Sequence, residues 1–326
     1  MKIVVVDHIY LEREHIQRLQ SIGDLKVFKD LPKTPGELKE RIKGADIVIV
    51  GWSNLTKDVI NSAEKLKMVS IWATTCHYVD LQTAWGRGIV VTHVPGYATE
   101  AVAEHVFALL LASIRKLPLA DKHVRRGDFD WRPFRGIELA GKTLGIIGTG
   151  LIGCRVAEIG KAFKMRILAF DKYPNMKKAE EIGIKYVGLQ TLLKESDIVT
   201  LHIPLTSETE RLIGEKEIET MKNGAVIINT SQGRVIDEKA LIDALESGKL
   251  SFAGLDVFEE ELPAKDNPLF KLDTTILSPH CGFHTVEAVK RCTDICIDNV
   301  MKFLEGRPQN VCQPKSFTRT QVDIPE

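Results

Sequence analysis

The sequence predicts an α/β fold built around two parallel sheets, and three observations favour it. Short apolar segments alternate with helix-compatible segments through almost the whole chain, which is typical of consecutive βαβ units. The strand candidates form two groups, one before residue 98 and one after residue 142. The chain has 326 residues, which is enough for two domains that each bury a core of their own.

The first group of strands opens the chain and is followed by a long helix. Its members are expected at 2–6, 25–28, 46–50, 68–72 and 89–91. Pro95-Gly96 then interrupts the chain, and Thr99 is suited to cap a helix that runs to Lys116 and stops at Pro118. Residues 106–112 of this helix are apolar on every side. We therefore expect it to be buried between domains or at a subunit interface.

The second group of strands is large enough for a complete doubly wound sheet. Its members are expected at 143–147, 166–170, 184–187, 197–201, 224–228, 251–255 and 275–278. A last helix is expected over 286–304, and the polar tail 313–326 shows no periodicity. The alternation of elements in this half therefore predicts a second parallel sheet.

The composition is that of an ordinary globular protein and disfavours several function classes. Lysine and arginine together number 44, as do aspartate and glutamate, so the charge balance does not indicate nucleic acid or an anionic membrane as a partner. The longest apolar run is too short to span a membrane, and the strand-like start leaves no room for a signal peptide. We expect a cytoplasmic protein.

The chain contains six cysteines, which are too few for a secreted disulfide framework and suit a reducing compartment. Cys292 and Cys296 lie about one helical turn apart with His284 upstream, so a metal site is conceivable there. Buried free cysteines commonly serve as small apolar residues instead. We favour that interpretation and predict no metal.

The most informative motif is the glycine pattern Gly148-x-Gly150-x-x-Gly153. It follows the strand candidate 143–147 and opens a helix-compatible segment, which is the context that a dinucleotide-binding turn requires. The first glycine permits the tight turn, the second lets the backbone approach a pyrophosphate, and the third lets the helix pack on the strand. The N–H groups of Leu151 and Ile152, at the start of the helix, are expected to face the phosphates.

The identity of the dinucleotide is indicated by Asp171. This acid ends the next strand candidate, close to the spacing of about 20 residues at which a carboxylate meets the adenosine ribose hydroxyls. Its charge would repel a 2′-phosphate at the same position. The sequence therefore predicts NAD rather than NADP as the cofactor.

Three further strand candidates end in polar segments that lack an obvious structural purpose. They are followed by residues 230–234, by the glutamates of 259–261 and by 278–282, which includes His280. Taken alone, His280 can be a satisfied loop histidine and the glutamates a solvated acidic turn. Ligands bind at the carboxyl ends of strands in open α/β sheets, so we expect these segments to converge on one site beside the glycine motif.

These motifs together resemble the D-isomer-specific 2-hydroxyacid dehydrogenases, which include phosphoglycerate, glycerate, D-lactate, formate and phosphite dehydrogenases. The resemblance is collinear over nearly the whole chain and rests on residues 101–104, 148–153, 201–206, 229–231, 235–241, 254–258 and 278–282. It implies two Rossmann- or flavodoxin-like parallel-sheet domains. The NAD-binding domain would span 99–287, and a discontinuous substrate domain, 1–98 with 288–326, would wrap around it. The resemblance also implies a homodimer.

The resemblance assigns roles to individual residues. His280 falls on the family's general acid/base, Glu261 on the carboxylate that pairs with it, and Asp256 on the residue that holds the nicotinamide carboxamide. An imidazolium can give a proton to a carbonyl oxygen near neutral pH, and a neighbouring carboxylate stabilises its charge. The other positions implied to line the cofactor are His202, Pro204, Thr209, Thr230, Ser231 and Gly282.

The substrate side departs from the family's pattern. Gln232 stands where the family has an arginine that grips the substrate, and an uncharged amide forfeits that bidentate contact. Arg234 lies two residues later and is the candidate for supplying the charge instead. The segment 73–80 replaces a glycine-containing turn, and His93 stands where asparagine is frequent. In this segment the candidate substrate contacts are Thr74, Thr75 and Cys76.

The sequence as a whole predicts an NAD-dependent dehydrogenase that acts on CH–OH donors. Its substrate is expected to be a small 2-hydroxy or 2-keto acid or a related atypical molecule, because Gln232 breaks the usual anion clamp. Two alternatives stay open. One is a non-enzymatic, NAD-sensing binding protein of the corepressor type, and the other is a variant in which Gln232 was introduced in place of arginine. The retention of both His280 and Glu261 favours the enzyme.

Overall fold

The computed structural model describes residues 1–312. The chain divides into two compact units, which are described separately below. The first unit comprises residues 1–98 and the described residues from His284 onward, and the second comprises residues 99–283. The chain thus returns to the first unit at His284, whereas the resemblance implied a return at residue 288.

The first unit begins with alternating strands and helices and contains one parallel sheet. Its elements are β1 (Lys2–Val5), α1 (Arg13–Gln20), β2 (Asp24–Val27), α2 (Pro35–Ile42), β3 (Ile47–Val50), α3 (Lys57–Ser62), β4 (Met68–Ile71), α4 (Leu81–Gly86) and β5 (Val90–Thr92). The strand order is β2-β1-β3-β4-β5. Strands β3 and β4 are buried along their whole length, as their unbroken apolar runs predict.

The second unit contains a larger parallel sheet. Its elements are α5 (Thr99–Ile114), α6 (Leu117–Arg125), β6 (Thr143–Ile147), α7 (Leu151–Ala162), β7 (Arg166–Phe170), α8 (Met176–Ile182), β8 (Lys185–Tyr186), α9 (Leu189–Glu195), β9 (Ile198–Leu201), α10 (Glu215–Thr220), β10 (Ala225–Asn229), α11 (Glu238–Glu246), β11 (Leu250–Leu255) and β12 (Thr275–Leu277). The strand order is β12-β11-β10-β9-β6-β7-β8. The order reverses between β6 and β9, and open α/β sheets bind ligands at such a switch point.

Both faces of the second sheet are covered by apolar side chains. In β10, Ile227 belongs to one buried cluster, and its neighbours Val226 and Ile228 belong to another. Alternate residues of a strand point to opposite faces, so the two clusters are the two sides of one sheet. A sheet buried on both faces presents only its edges and strand ends to ligands.

The helix predicted over residues 99–116 is α5, and a second helix that was not predicted follows it directly. Helix α5 ends at Ile114, and α6 begins at Leu117 after Lys116, which adopts a left-handed conformation with φ of 50°. Pro118 lies in the first turn of α6, where the missing N–H of proline leaves no helical bond unmade. The proline therefore starts a helix rather than stopping one.

The apolar stretch of α5 is buried for a different reason from the one expected. Val106, Phe107 and Leu110 are buried within the second unit itself, in the cluster that includes Ile146 and Val226 of the sheet. The expectation that this helix is buried between domains or at a subunit interface was therefore wrong. The helix supplies one side of a domain core, which explains why most of its surface is apolar.

The first unit is completed by α12 (Val286–Leu304). The indole Nε1 of Trp72 donates a hydrogen bond to Oγ1 of Thr293 at 2.9 Å. The hydroxyl of Ser70 donates to the backbone oxygen of Cys296 at 3.0 Å. These buried bonds attach α12 to β4 and to the residue that follows it.

Cys292 and Cys296 are buried on α12 in the first unit. Burial raises the pKa of the Cys296 thiol to about 12 and that of Cys292 further still. Nε2 of His284 lies 2.8 Å from the hydroxyl of Tyr10, to which it is hydrogen-bonded. The two cysteines are therefore protonated core residues, and His284 belongs to a separate polar contact.

One disulfide is present, although the number of cysteines was taken to suit a reducing compartment. Cys76 is bonded to Cys312, with 6.4 Å between their Cα atoms. The backbone N–H of Cys312 donates to the oxygen of Val91 at 2.8 Å, and Thr92 forms an antiparallel bridge with Val311. The end of the described chain thus pairs with β5 and brings Cys312 to the loop after β4.

Across residues 1–312, no helix is both long and apolar enough to cross a membrane.

Candidate cofactor and active site

The glycine motif forms the turn between β6 and α7. Gly148 has a φ of 94°, and a Cβ added there would lie 2.5 Å from the backbone oxygen of His202. A Cβ on Gly153 would lie 1.9 Å from the oxygen of Gly148, so only glycine lets α7 pack this closely on the turn. A Cβ on Gly150 would meet nothing within 4 Å. The absence of a side chain at Gly150 therefore leaves open space beside the turn, whereas at Gly148 and Gly153 it avoids a steric clash.

The residues around this space fit a dinucleotide. The N–H groups of Leu151 and Ile152 lie in the first turn of α7, where the helix has no carbonyl group to accept their hydrogen bonds. This end of the helix also carries a partial positive charge. Thr230, after β10, has a buried hydroxyl without a hydrogen-bond partner among the described residues. An anionic pyrophosphate and a polar ligand group would satisfy these donors.

Asp171 follows β7 and is held in place by backbone and side-chain donors. Its Oδ2 accepts from the N–H of Thr149 at 2.6 Å and from the hydroxyl of Thr149 at 2.9 Å, and its Oδ1 accepts from the N–H of Tyr173 at 2.8 Å. Nζ of Lys172 lies 2.7 Å from Oε2 of Glu208. Lys172 is thus paired with Glu208 and does not neutralise Asp171. The position expected to bind the ribose therefore keeps the negative charge of the Asp171 carboxylate.

The segment after β9 lies directly beside the glycine turn. The N–H of His202 donates to the oxygen of Ile147 at 2.7 Å, and its ring Nε2 lies 3.0 Å from the hydroxyl of Thr200. Burial lowers the pKa of His202 to about 3, so its ring is neutral at physiological pH. The hydroxyl of Thr209 donates to the oxygen of Pro204 at 2.6 Å and closes the following turn.

Asp256 is the centre of a polar network at the end of β11. Its Oδ1 accepts from the hydroxyl of Ser278 at 2.6 Å and from the N–H of Cys281 at 2.9 Å, and its Oδ2 accepts from the N–H of Gly282 at 2.8 Å. Nε2 of His105 lies 3.3 Å from Oδ1. Burial alone would raise the pKa of Asp256, but these hydrogen bonds outweigh it and hold the pKa below its ordinary value.

Ser278 and Cys281 lie in the segment 278–282 that was expected at the site, although neither was assigned a role, and His105 was not predicted at all. The available signal was that His105 directly precedes the apolar run 106–112 of α5. The ring nitrogen of His105, the carboxylate of Asp256 and the sulfur of Cys281 lie within 4.8 Å of one another. Because both oxygens of Asp256 already accept N–H or O–H groups, we assign the cluster to hydrogen bonding that orients the carboxylate.

His280 and Glu261 are brought together as a pair. Nδ1 of His280 lies 2.7 Å from Oε1 of Glu261, and both side chains are largely exposed, at 46% and 66%. The N–H of His280 donates to the oxygen of Asp256 at 2.8 Å, which anchors the histidine beside β11. The two side chains line a cavity of about 480 Å³ together with Asp256 and Phe258. Nε2 is left as the ring nitrogen that can exchange a proton with a ligand.

Gln232 and Arg234 lie at the neighbouring strand end and differ in their surroundings. The backbone oxygen of Gln232 accepts from Nδ2 of Asn229 at 2.8 Å, and its side-chain amide has no hydrogen-bond partner among residues 1–312. Nη2 of Arg234 lies 3.5 Å from Oε1 of Glu210. The hydroxyl of Ser231 donates to Oδ1 of Asn229 at 2.9 Å, which fixes the turn before Gln232.

The candidate substrate loop of the first unit is held by its own contacts. The oxygen of Thr74 lies 2.6 Å from Nδ1 of His93, and the hydroxyl of Thr75 lies 2.7 Å from Nδ1 of His77. Cys76 is bonded to Cys312, so its sulfur has no hydrogen to donate to a substrate. Thr74, Thr75 and Cys76 all stay predictions as substrate contacts, and Cys76 could make its contact only without a thiol hydrogen.

Known proteins of similar sequence and fold identify the family of this chain. Residues 107–282 match the model of the D-isomer-specific 2-hydroxyacid dehydrogenase NAD-binding domain. The chain is 42% identical over 308 residues to the D-3-phosphoglycerate dehydrogenase of Methanocaldococcus jannaschii, covering 94% of this chain and 58% of that protein. It is 42% identical over 314 residues to the glyoxylate reductase of Thermococcus litoralis, covering 93% of this chain and 94% of that protein.

A solved structure extends the likeness to the whole fold. An acyclic imino acid reductase in complex with NADPH and D-Arg superposes with a TM-score of 0.88 at 37% identity, covering 96% of this chain and 100% of that one. The chain therefore spans little more than half of the phosphoglycerate dehydrogenase but nearly all of the two reductases. With the family domain matched over residues 107–282, the chain belongs to the D-isomer-specific 2-hydroxyacid dehydrogenase family and carries its NAD-binding domain.

Proposed function

We propose that the protein is an NAD-dependent oxidoreductase that transfers hydride between nicotinamide and the second carbon of a small 2-hydroxy or 2-keto acid, or of a related substrate. The observation that carries the proposal is the His280–Glu261 pair, 2.7 Å apart, beside the Asp256 network at the end of β11. The pair and the glycine turn lie in the same unit and follow strands of the same sheet.

In this proposal the cofactor supplies the hydride and the protein supplies the proton. Glu261 accepts the hydrogen bond of Nδ1 and stabilises the charged ring of His280, while Nε2 donates to the atom that becomes the hydroxyl oxygen. In the oxidation direction, Nε2 of His280 takes the proton back from the hydroxyl oxygen. Asp256 is ionised and held by three donors, so it can accept a hydrogen bond from the nicotinamide carboxamide.

The cofactor is proposed to lie along the ends of β6, β7, β9, β10 and β11. Leu151 and Ile152 would bind the pyrophosphate over the space at Gly150, and Asp171 the adenosine ribose. Thr230, with its unpartnered hydroxyl, would take a polar group of the nicotinamide half. The remaining residues proposed to line the cofactor are Gly148, Gly153, His202, Pro204, Thr209, Ser231 and Gly282.

The decisive experiment measures NADH oxidation with a panel of 2-keto acids by the wild-type protein and by His280→Asn. A general acid contributes about 10²- to 10⁴-fold to rate, so turnover should fall by that order while NADH affinity, measured by calorimetry, stays unchanged. Equal turnover in the two proteins would assign the proton to another group. NADH binding without turnover on any substrate would favour the NAD-sensing binding protein instead.

We also propose that two copies of the chain form a homodimer. The segment after α6 exposes Phe129 by 94% and Trp131 by 80%. With Val124 and Phe134 these rings line a second cavity, of about 440 Å³. Large exposed apolar groups grouped in this way mark association surfaces. Light scattering should give twice the 36.4 kDa chain mass, and a Phe129→Ser, Trp131→Ser double variant should shift the mass towards that of one chain.

We infer a cytoplasmic location from the four cysteines that stay free, three of which are buried. The Cys76–Cys312 bond is the exception to this pattern, because disulfides are rare in reducing compartments. Counting the reactive thiols of this protein in freshly lysed cells, before and after denaturation, tests whether the Cys76–Cys312 bond is present in the cell.

A further inference from the structure

We propose that the substrate carries a bulky apolar side chain, of phenyl size, and that the cavity beside the His280–Glu261 pair binds this side chain. The inference rests on the proposed function, because it takes the pair as the acid/base group for a 2-keto acid. It deepens that function by naming the substrate class, which is the 2-keto and 2-hydroxy acids with a large uncharged substituent.

The cavity begins at the acid/base pair. His280 and Glu261 both belong to its wall, as does Asp256. Nδ1 of His280 lies 2.7 Å from Oε1 of Glu261, so the ring is held at this wall. A substrate oxygen that takes the proton of this ring is bonded directly to the second carbon of the acid. The side chain attached to that carbon therefore starts beside the cavity.

The cavity is much larger than the reacting groups require. Its volume is about 480 Å³, whereas a water molecule occupies about 30 Å³ in the liquid. Cavities that bind whole ligands typically have volumes of about 300–1,000 Å³. A substrate without a side chain, such as glyoxylate, would leave most of this space to water. A large side chain would fill it.

Most of the cavity wall is apolar. The apolar side chains that line it include Phe258, Leu262, Pro263, Phe270, Leu277 and Pro279. The rings of Phe258 and Phe270 pack edge to face, with centroids 6.1 Å apart, and Phe270 is nonetheless 46% exposed. Apolar walls and aromatic rings gain free energy when an apolar or aromatic group displaces water from them.

The charges in the wall disfavour an anionic side chain. Among the described residues that line the cavity, the ionisable ones are Asp256, Glu261 and His280, and none is a lysine or an arginine. The carboxylates of Asp256 and Glu261 would repel a phosphate group, and the ring of His280 is already paired with Glu261. The cavity therefore favours an uncharged substituent over a phosphorylated one.

Leu262 is a wall residue whose apolar side chain is uncovered. It follows Glu261 directly, is 95% exposed, and has a left-handed backbone with φ of 68°. Bulky residues rarely adopt this conformation, and such strain is concentrated at ligand sites. A substrate side chain in the cavity would remove the surface of this leucine from water.

The two sides of the cavity are joined through one carboxylate, that of Glu238. Its Oε2 accepts from the N–H of Glu259, in the segment after β11, at 3.1 Å. Its Oε1 accepts from Nδ2 of Asn267 at 2.8 Å. Asn267 immediately precedes the short 3₁₀ helix Pro268–Lys271, which carries Phe270. The width of the cavity is thus set by the fold, and a preorganised site binds its ligand with less loss of conformational entropy.

The test compares kcat/KM for NADH oxidation with phenylpyruvate, pyruvate, glyoxylate and a phosphorylated 2-keto acid. One methylene in an apolar pocket changes kcat/KM by about 10- to 200-fold, so phenylpyruvate should exceed pyruvate by at least about tenfold. Leu262→Ser should reduce this ratio by about tenfold, and the fold should be retained because the side chain is exposed. Leu31→Ser changes a leucine that is 54% exposed and does not line the cavity, so the ratio should stay as in the wild type.

A binding experiment gives a second readout that needs no turnover. Propanoate and 3-phenylpropanoate lack a carbonyl group at the second carbon and cannot be reduced, so their comparison measures the contribution of the phenyl group alone. Calorimetric titration of the protein–NADH complex should show that 3-phenylpropanoate binds at least about tenfold more tightly. Leu262→Ser should reduce this difference, whereas Leu31→Ser should not.

The outcomes separate the inference from the proposed function. Equal or higher kcat/KM with pyruvate or glyoxylate than with phenylpyruvate would overturn the inference and leave the proposed function intact. A preference for the phosphorylated acid, or a phenylpyruvate ratio that Leu262→Ser leaves unchanged, would do the same. Absence of NADH oxidation with every acid would overturn the proposed function and the inference with it.

Discussion

Nζ of Lys172 lies 2.7 Å from Oε2 of Glu208, so the only cation adjacent in sequence to Asp171 is already paired. This contact raises the pKa of Lys172, so its ammonium group stays charged and bound to Glu208. A 2′-phosphate would therefore meet the carboxylate of Asp171 without a free counter-charge from Lys172. We expect NADH to bind more tightly than NADPH, as calorimetry can measure.

The same relationship predicts how the preference changes by substitution. Asp171→Ala should narrow the difference between the two affinities by removing repulsion. Adding Glu208→Gln should narrow it more, because Lys172 is then free to meet the phosphate. Glu208→Gln alone should have little effect on NADH. Equal NADPH affinity with and without Glu208 would show that Lys172 does not reach the phosphate.

Two glycines of the turn should respond differently to the same substitution. Gly153→Ala places a methyl group 1.9 Å from a backbone oxygen, so it should lower Tm markedly. Gly150→Ala meets no protein atom within 4 Å and has an ordinary φ of −66°, so Tm should stay near the wild-type value. Its methyl group would occupy the pyrophosphate space, and NADH affinity should fall at least tenfold. A stable Gly150→Ala protein with full NADH affinity would place the cofactor elsewhere.

Glu261 should matter for chemistry and not for cofactor binding. Glu261→Gln keeps the shape of the partner of His280 but removes the charge that stabilises the protonated ring, so kcat should fall about 10- to 100-fold. NADH affinity should be unchanged. Glu260→Gln alters the exposed neighbouring acid and serves as the control. If both variants lost turnover equally, loop charge in general would be responsible.

Asp256 should make stability depend on pH. Its folded-state pKa is lowered, so its contribution is complete above the unfolded-state pKa of about 4 and is lost as pH falls through the folded-state value. Asp256→Asn should therefore lower Tm at pH 7, by an amount that shrinks towards pH 3. The exposed Asp266→Asn is the control. A Tm difference independent of pH would indicate that lost packing, and not charge, is the cause.

The disulfide should stabilise the first unit under oxidising conditions. Removing a native disulfide typically costs about 2–5 kcal/mol, so Cys76→Ser or added dithiothreitol should lower Tm. Dithiothreitol should have no effect on the Cys76→Ser protein, which is the matched control. The denatured, unreduced protein should show the four free thiols of the described residues, and reduction should add two. Six reactive thiols before reduction would show that the bond is absent.

Local signals explain how much of the fold the sequence could predict. Most strands of both sheets are apolar runs that need no information beyond their own residues, although β2 (Asp24–Val27) and β8 (Lys185–Tyr186) are not. The glycine turn carries its requirements within six positions. The convergence of the segments that carry His280 and Glu261 could be predicted because the carboxyl ends of parallel strands share an edge, and the family resemblance implied the pairing of these two residues. Helix α6 was missed because Pro118 was interpreted as the end of one helix, whereas a proline can also lie in the first turn of the next.

What could not be predicted depends on contacts between distant segments. Cys76 and Cys312 are separated by 236 residues, and nothing near either cysteine marks the pairing. His105 lies in α5, near the start of the second unit, whereas Asp256 follows β11, near the end of that unit. Their contact therefore joins two segments that are distant in sequence. The surroundings of Arg234 likewise depend on Glu210, which lies in a different turn. Such contacts exist only once the fold has formed.

The attachment of α12 to β4 has a consequence for synthesis. Trp72 and Ser70 find their partners on a helix that emerges from the ribosome only after the entire second unit. Within residues 1–312 the second unit is one continuous segment, so it can complete its core during translation, while one face of the first sheet is still without its helix α12. A nascent chain arrested before Val286 should therefore bind NADH yet present its N-terminal residues to proteases and chaperones.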